Sequence, residues 1–259
     1  MGVITLTSDW GLKDYYLSSV KGMIYQHYPG ASIVDISHEI QPFNINEAAY
    51  ILKNAYKSFP DGTVHIIGLN SEESIDSPHV AVLFDNQYFI GTDNGIFSLI
   101  FGKQPEKAVA LDIIQESEKF TFSERDRFVK AAVHLAKGGK LEELGNEKEK
   151  LIEKFSFEPV VSENMIRGMV LHVDNYENLV TNISETLFKK VVNHKKFEIS
   201  FRSYTVNSIQ KAYSDSRPGE IAALFASNGL LEIAINKGNA SSLLGVRAND
   251  PIIIEIKED

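Results

Sequence analysis

Four polar pairs follow apolar runs early in the chain: Ser8-Asp9, Ser37-His38, Asn70-Ser71 and Asp93-Asn94. If those runs are strands of a parallel sheet, the pairs share its carboxyl rim, where open α/β sheets bind small ligands. Asp9 could accept both hydroxyl protons of a sugar diol, or it could hold a metal. A helix N-cap is the commoner employment of such an Asp, and we assign that role to Asp14 and the ligand to Asp9. The first strand is followed by neither GxGxxG nor GxxxxGK[ST], which disfavours a dinucleotide or a P-loop nucleotide. The seven histidines show no HExxH spacing, so each reads as structural and no metal is expected.

The elements that must position these groups follow from periodicity. Val3, Ile4 and Leu6, with β-branched Thr5 and Thr7, read as a buried strand, and Gly11 permits a tight turn after it. Leu17, Val20, Ile24 and Tyr28 repeat at helical spacing until Pro29-Gly30. Strands are expected at 32–36 and 63–69. Between them lies a helix over 44–58, carrying Ile45, Ala48, Ala49, Leu52 and Tyr56 on one face, with Asn44 as its cap. This order predicts parallel pairing with right-handed crossovers. A hairpin about Asp85-Asn86, a short helix from Gly95 to Gly102, a strand at 108–113 and a helix over 125–137 complete the set. An N-terminal α/β domain with a mainly parallel sheet is therefore expected over residues 1–151. The charged stretch from Lys140 to Glu163 reads as linker or solvated helix, with the linker proper at 152–166. Short strands at 168–173, 179–182, 196–201, 221–225, 230–235 and 251–256 make residues 167–259 an all-β, barrel-like domain.

Composition narrows the classes. A formal charge of −9 argues against nucleic acid, whose binders usually carry a basic face. No apolar run approaches the roughly 18 residues of a membrane span. The first residues lack the basic and long apolar segments of a secretory signal, and a cytoplasmic location is expected. With no cysteine in 259 residues there is no thiol nucleophile and no thiolate metal site. Unaided, these observations reach a two-domain protein with a polar small-molecule pocket.

Several motifs in one order carry a resemblance. They are Ser8 to Asp14, Asp35 to Ile40, Thr92-Asp93-Asn94-Gly95, Thr121-Phe122 before Arg125-Asp126, Asp174 with Asn178 to Asn182, and Asn239-Ala240. Together they resemble the S-adenosyl-L-methionine hydroxide adenosyltransferase family, which also contains fluorinating and chlorinating enzymes. The resemblance runs from about Val3 to Ile256. It implies an α/β domain followed by a β-barrel domain, and a homotrimer that binds its ligand between neighbouring subunits. It further implies cofactor-free hydrolysis of S-adenosylmethionine to adenosine and methionine. By the same resemblance Asp9 takes the ribose hydroxyls, Phe43 forms an aromatic wall beside ribose and sulfonium, and Thr121 and Phe122 line the reaction centre. Asp174 holds the methionine ammonium, and Ser227 helps bind the amino-acid end. Tyr176 stacks on adenine, Asn178 reads its edge, and Asn239 and Ala240 offer backbone contacts to it. A core position for Phe43 and a plain turn role for Asn178 are the competing readings.

The hydrolases of that family carry an Asp-Arg-His set that positions the attacking water. The corresponding catalytic places here are Asn70, Ser77 and Ser123. Asn70 and Ser123 can hydrogen-bond a water but cannot take its proton near neutrality. Losing a general base typically costs ~10²–10⁴-fold, while orientation can supply about 7–11 kcal/mol, so hydrolysis survives on these magnitudes. Glu72, Glu73 or Asp76 could replace the base from the loop. Two alternatives stand beside hydrolysis: a non-catalytic binder of S-adenosylmethionine or adenosine, and a halogenase. Glu124 occupies the place where the fluorinating enzymes put a halide-binding Ser, and a carboxylate repels a halide.

Overall fold

The structure, a computed structural model, describes residues 2–115 and 121–257. The chain divides into two compact units, Met1–Phe155 and Ser156–Asp259.

In the first unit, strands β1 (Val3–Ser8), β2 (Ser32–Ser37) and β3 (Val64–Gly68) alternate with helices α1 (Tyr16–His27) and α2 (Ile45–Ala55). Then come β4 (His79–Phe84), β5 (Gln87–Thr92), α3 (Ile96–Phe101), β6 (Lys107–Leu111), α4 (Val129–Ala136) and β7 (Gly145–Glu147). The sheet order is β2-β1-β3-β5-β4-β6-β7. Successive side chains of a strand point to opposite faces, so the sheet carries two cores. Ile4, Leu6, Ile66 and Ile90 face α1 and α4, with Val20, Ile24, Phe128 and Ala132. Ile67, Leu69, Val80, Val82 and Phe89 face α2 and α3, with Ala48, Leu52, Ile96 and Phe97. Asn44 caps α2 as expected, its side chain accepting from Glu47 N at 3.2 Å. No side chain caps α1, so Asp14 does not have the role assigned to it.

The sheet is mixed, which corrects the expectation of a mainly parallel one. β2, β1, β3 and β5 run parallel, while β4 is antiparallel to β5 and β6, and β7 to β6. The cause is local. Asp85 and Asn86 take φ of 56° and 59°, the two-residue turn whose twist suits a hairpin, so β4 folds back on β5 instead of crossing over. The charged stretch after Lys140 is not a solvated helix. It forms a turn over Leu141–Leu144, adds β7 to the sheet edge and buries Leu151.

The second unit holds β8 (Val160–Ser162), β9 (Met165–Val173), β10 (Leu179–Ser184), α5 (Glu185–Val192), β11 (Phe197–Phe201) and β12 (Tyr204–Val206). β13 (Ile221–Phe225), β14 (Leu230–Ile235), α6 (Ala240–Leu244) and β15 (Pro251–Ile256) follow. β8, within the stretch expected as linker, pairs with β9. The other strands form an antiparallel sheet in the order β12-β11-β15-β9-β10-β14-β13. Gln210, beyond β12, exchanges hydrogen bonds with Ala223 of β13 at 2.8 Å, which nearly closes the sheet into a barrel. Ile166, Val170, Leu179, Ile199, Leu231, Ile233 and Ile254 fill the interior. Periodicity had not announced α5, which Ser184 caps by accepting from Leu187 N at 3.2 Å and which lays Phe188 and Val192 on the barrel core. No helix among the described residues is long and apolar enough to cross a membrane.

Candidate functional site

Because β1, β2, β3 and β5 are parallel, their carboxyl ends lie on one rim of the first unit, and three of the four polar pairs meet there. Ser8 and His38 are joined Oγ to Nδ1 at 2.7 Å, and His38 lies against Asp35, which Lys21 also reaches at 2.6 Å. Trp10 stacks on His38 at 6.1 Å and meets Phe122 edge-on at 5.9 Å. The indole lies so close to Gly68 that a Cβ there would stand 2.3 Å from it, which is why β3 ends in glycine. Asp9 accepts from Phe43 N at 2.8 Å through Oδ2. Phe43 itself is 71 % exposed at φ 67°, which rejects the core reading. A non-glycine residue held left-handed costs roughly 1–2 kcal/mol, and the bond to Asp9 is part of what holds it.

Asn70, exposed at φ 48°, lies just beyond β3. Thr121 is exposed, and Phe122 and Ser123 are buried where the chain enters the wide turn Glu124–Phe128. The next residue is Glu124, the carboxylate at the place of a halide-binding Ser. Glu124 is 3 % exposed, and Ser71 Oγ donates to its Oε1 at 2.6 Å. Burial pushes its carboxyl above the usual range, with the charge of Asp9 adding to it and bonds from Ser71 and Trp10 opposing. Its signal in the sequence was a Glu directly after Thr121-Phe122-Ser123. Behind it, Glu73 pairs with Arg127 and His79, Arg127 Nη1 lies 3.0 Å from His79 Nδ1, and His79 Nε2 lies 2.8 Å from Ser71 O. Burial lowers His79, and Glu73 is held below the carboxylate range chiefly by its bond from Arg127, against its own desolvation. Ser77 is tied to Ser74 of its own loop rather than to Asn70 or Ser123. The fourth pair turns to structure. Asp93 is buried, accepting from Ile152 N at 2.9 Å, and Asn94 accepts from Ile96 N at 3.2 Å.

The second unit carries a cleft of about 620 Å³ lined by Asp174, Tyr176, Asn178, Tyr213, Lys237 and Asn239, among others. The β9–β10 turn shapes it. Asp174 Oδ1 accepts from Tyr176 N at 2.9 Å and Asn178 N at 2.8 Å, and Oδ2 accepts from Asn178 Nδ2 at 3.1 Å. Asn178 thus closes a turn, as its competing reading held, and also lines the cleft. Tyr176 stands 76 % exposed. Asn239 donates one amide hydrogen to Glu177 Oε1 at 3.0 Å and lines the cleft, and Ala240 is buried at the start of α6. Below Asp174, Tyr213 donates to buried Glu232 at 2.6 Å. Burial raises both, the bond to Glu232 raises Tyr213 further, and the nearby charge of Asp174 adds to each. Ser227 is not among the lining residues. It is exposed in the β13–β14 turn, at the other end of β14 from Asn239. Among the described residues no group of three or more His, Cys, Asp or Glu is placed to hold a metal.

Known proteins match this chain over both units. The model of the SAM hydroxide adenosyltransferase N-terminal domain matches residues 4–145, and that of the C-terminal domain residues 168–253. A Thermus thermophilus protein named (R)-S-adenosyl-L-methionine hydrolase is 29 % identical over 97 % of this chain and 99 % of its own. A Methanocaldococcus jannaschii protein of the same name is 29 % identical over 98 % and 96 %. A fluorinase of Nocardia brasiliensis is 22 % identical over 98 % and 97 %. Among solved structures, an uncharacterized conserved protein from Thermotoga maritima superposes with a TM-score of 0.88 at 31 % identity, covering 97 % of this chain and 99 % of that one.

Proposed function

Because the chain belongs to the SAM hydroxide adenosyltransferase family, we propose that it hydrolyses S-adenosyl-L-methionine to adenosine and methionine. The observation that carries the reading is likeness over nearly the whole chain to relatives named for that hydrolysis. Their names specify the (R) form, and the proposal extends to it.

In the proposed reaction water attacks the ribose C5′ and the sulfonium leaves as neutral methionine, so the leaving group needs no acid and the step needs no cofactor. Asp9 is suited to the ribose diol, and the exposed ring of Phe43 offers a face to a cation. Thr121 and Phe122 border the reacting carbon, and Asn70 and Ser123 orient the water. In the cleft of the second unit, Asp174 takes the ammonium, Tyr176 stacks on adenine, and Asn178 reads its edge. Asn239, held in place by Glu177, offers adenine backbone contacts next to Ala240. Ser77 and Ser227 stand where this scheme gives them no part. A homotrimer, with the rim of one subunit and the cleft of a neighbour closing on one ligand, belongs to the same proposal. A cytoplasmic setting does too. The buried carboxylate of Glu124 beside the rim disfavours a halide as nucleophile.

The test is incubation of the protein with each sulfonium epimer, following adenosine and methionine by chromatography against a protein-free control. Adenosine in proportion to protein supports hydrolysis. An intact ligand that nonetheless binds by calorimetry overturns it in favour of a binding protein.

A further inference from the structure

Water attacking C5′ must lose a proton, and the two groups proposed to orient it cannot accept one near neutrality. The loop acid Glu73 is already engaged by Arg127 and His79, which makes it a poor acceptor. His79 is buried with both ring nitrogens occupied, by Arg127 and by the carbonyl of Ser71. Glu124 differs. Among the described residues no basic side chain bonds to it; it is buried at the rim and joined at 2.6 Å to the hydroxyl of half-buried Ser71. Ser71 directly follows Asn70, and with its own proton given to Glu124 its oxygen still has lone pairs to accept one from water. Two bonds fix Ser71 in place, Glu124 at the hydroxyl and His79 at the carbonyl.

We infer that Ser71 and Glu124 form a proton relay for the attacking water, which rests on the hydrolase reading and supplies it with a base. As the water oxygen bonds to C5′, the C5′–S bond breaks and its electron pair leaves on methionine sulfur. The water proton passes to Ser71 Oγ, the Ser71 proton passes to the Glu124 carboxylate, and Glu124 later returns it to solvent. One water and one sulfonium thus give adenosine, methionine and a proton. Among the described residues the groups facing Glu124 are Asp9 from the end of β1, Trp10 beyond it and Ser71 from the β3 loop. Of its neighbours on the same turn, Arg125 is paired with Asp126, and Arg127 with Glu73. Burial and the charge of Asp9 bring the carboxyl toward the working range of a base, an accessory to the geometry.

The relay is tested on the full chain by comparing wild type, Glu124→Gln and Ser71→Ala for turnover between about pH 5 and pH 9, with ligand affinity by calorimetry. Wild-type turnover should rise with pH along an acid limb. Glu124→Gln should lose about 10²–10⁴-fold in turnover, keep its affinity within a few-fold, and lose the limb. A structural acceptor would move affinity or folding but leave the limb. If Glu124→Gln does not fold, as judged by circular dichroism, Ser71→Ala decides, with at least a ten-fold loss expected. A wild-type rate in either folded variant overturns the relay and leaves the hydrolase reading standing. A wild type that forms no adenosine overturns both.

Discussion

Replacing Asp174 with Asn separates ligand charge from loop order. The carboxylate receives three bonds within its own turn, two backbone N–H groups on Oδ1 and Asn178 Nδ2 on Oδ2. An Asn at 174 keeps the Oδ1 acceptor, so Tyr176 and the backbone of Asn178 stay in place. It sets an amide against Asn178 Nδ2, which loses one charge-assisted bond worth ~1.5–3 kcal/mol, or at most roughly 10- to 150-fold in anything Asn178 reads. Losing the charge removes in addition a bond to a cation, ~1.5–3 kcal/mol, or roughly 10- to 150-fold. Calorimetry should therefore show adenosine, which lacks the ammonium, weakened by no more than that first factor. S-adenosylmethionine should lose the further factor. Equal weakening of the two ligands would refute an ammonium role and reduce Asp174 to a turn former.

Three further outcomes are expected. Burial holds His65 down at about 4, against 6.5 for a free imidazole. The unfolded chain gains a proton below about pH 6.5 and the folded chain does not, so stability present above that pH drains by ~3 kcal/mol as pH falls toward 4. Urea melts should show this slope, and His65→Gln should flatten it; an unchanged slope would sink the assignment. Phe43→Gly relieves a left-handed φ but loosens the unfolded chain, for a net gain of about 0–1 kcal/mol. It should also weaken S-adenosylmethionine by roughly 2- to 30-fold through the lost cation contact, and an unchanged affinity would remove Phe43 from the site. Tyr213→Phe leaves buried Glu232 without its donor and should cost about 1–3 kcal/mol at neutral pH. That deficit should shrink in acid, where Glu232 is protonated, and thermal melts showing it grow would contradict the pairing.

The local devices were legible because each depends on neighbours in the chain. Ile4 and Leu6 against Thr5 and Thr7 gave β1, Asn44 its cap, and Asp85-Asn86 the hairpin. The hairpin turn was read without its consequence: a fold-back beside β3 makes the sheet mixed, and pairing order is a property of the whole chain. The charged stretch after Lys140 misled because a short edge strand has the composition of a linker.

For the site, residue order alone says which groups exist and where: a carboxylate at Asp9, another at Asp174 with Asn178, and no ionisable residue at Asn70, Ser77 or Ser123. Tertiary structure alone decided which of them have company. It turned Phe43 outward, set Asp93 and Asn94 to holding the fold, and left Ser227 at the far end of β14. It also joined Ser71 to Glu124 across 53 residues of chain. Side-chain chemistry is written residue by residue. Desolvation and long-range hydrogen bonding arise only when packing removes water from two distant segments at once.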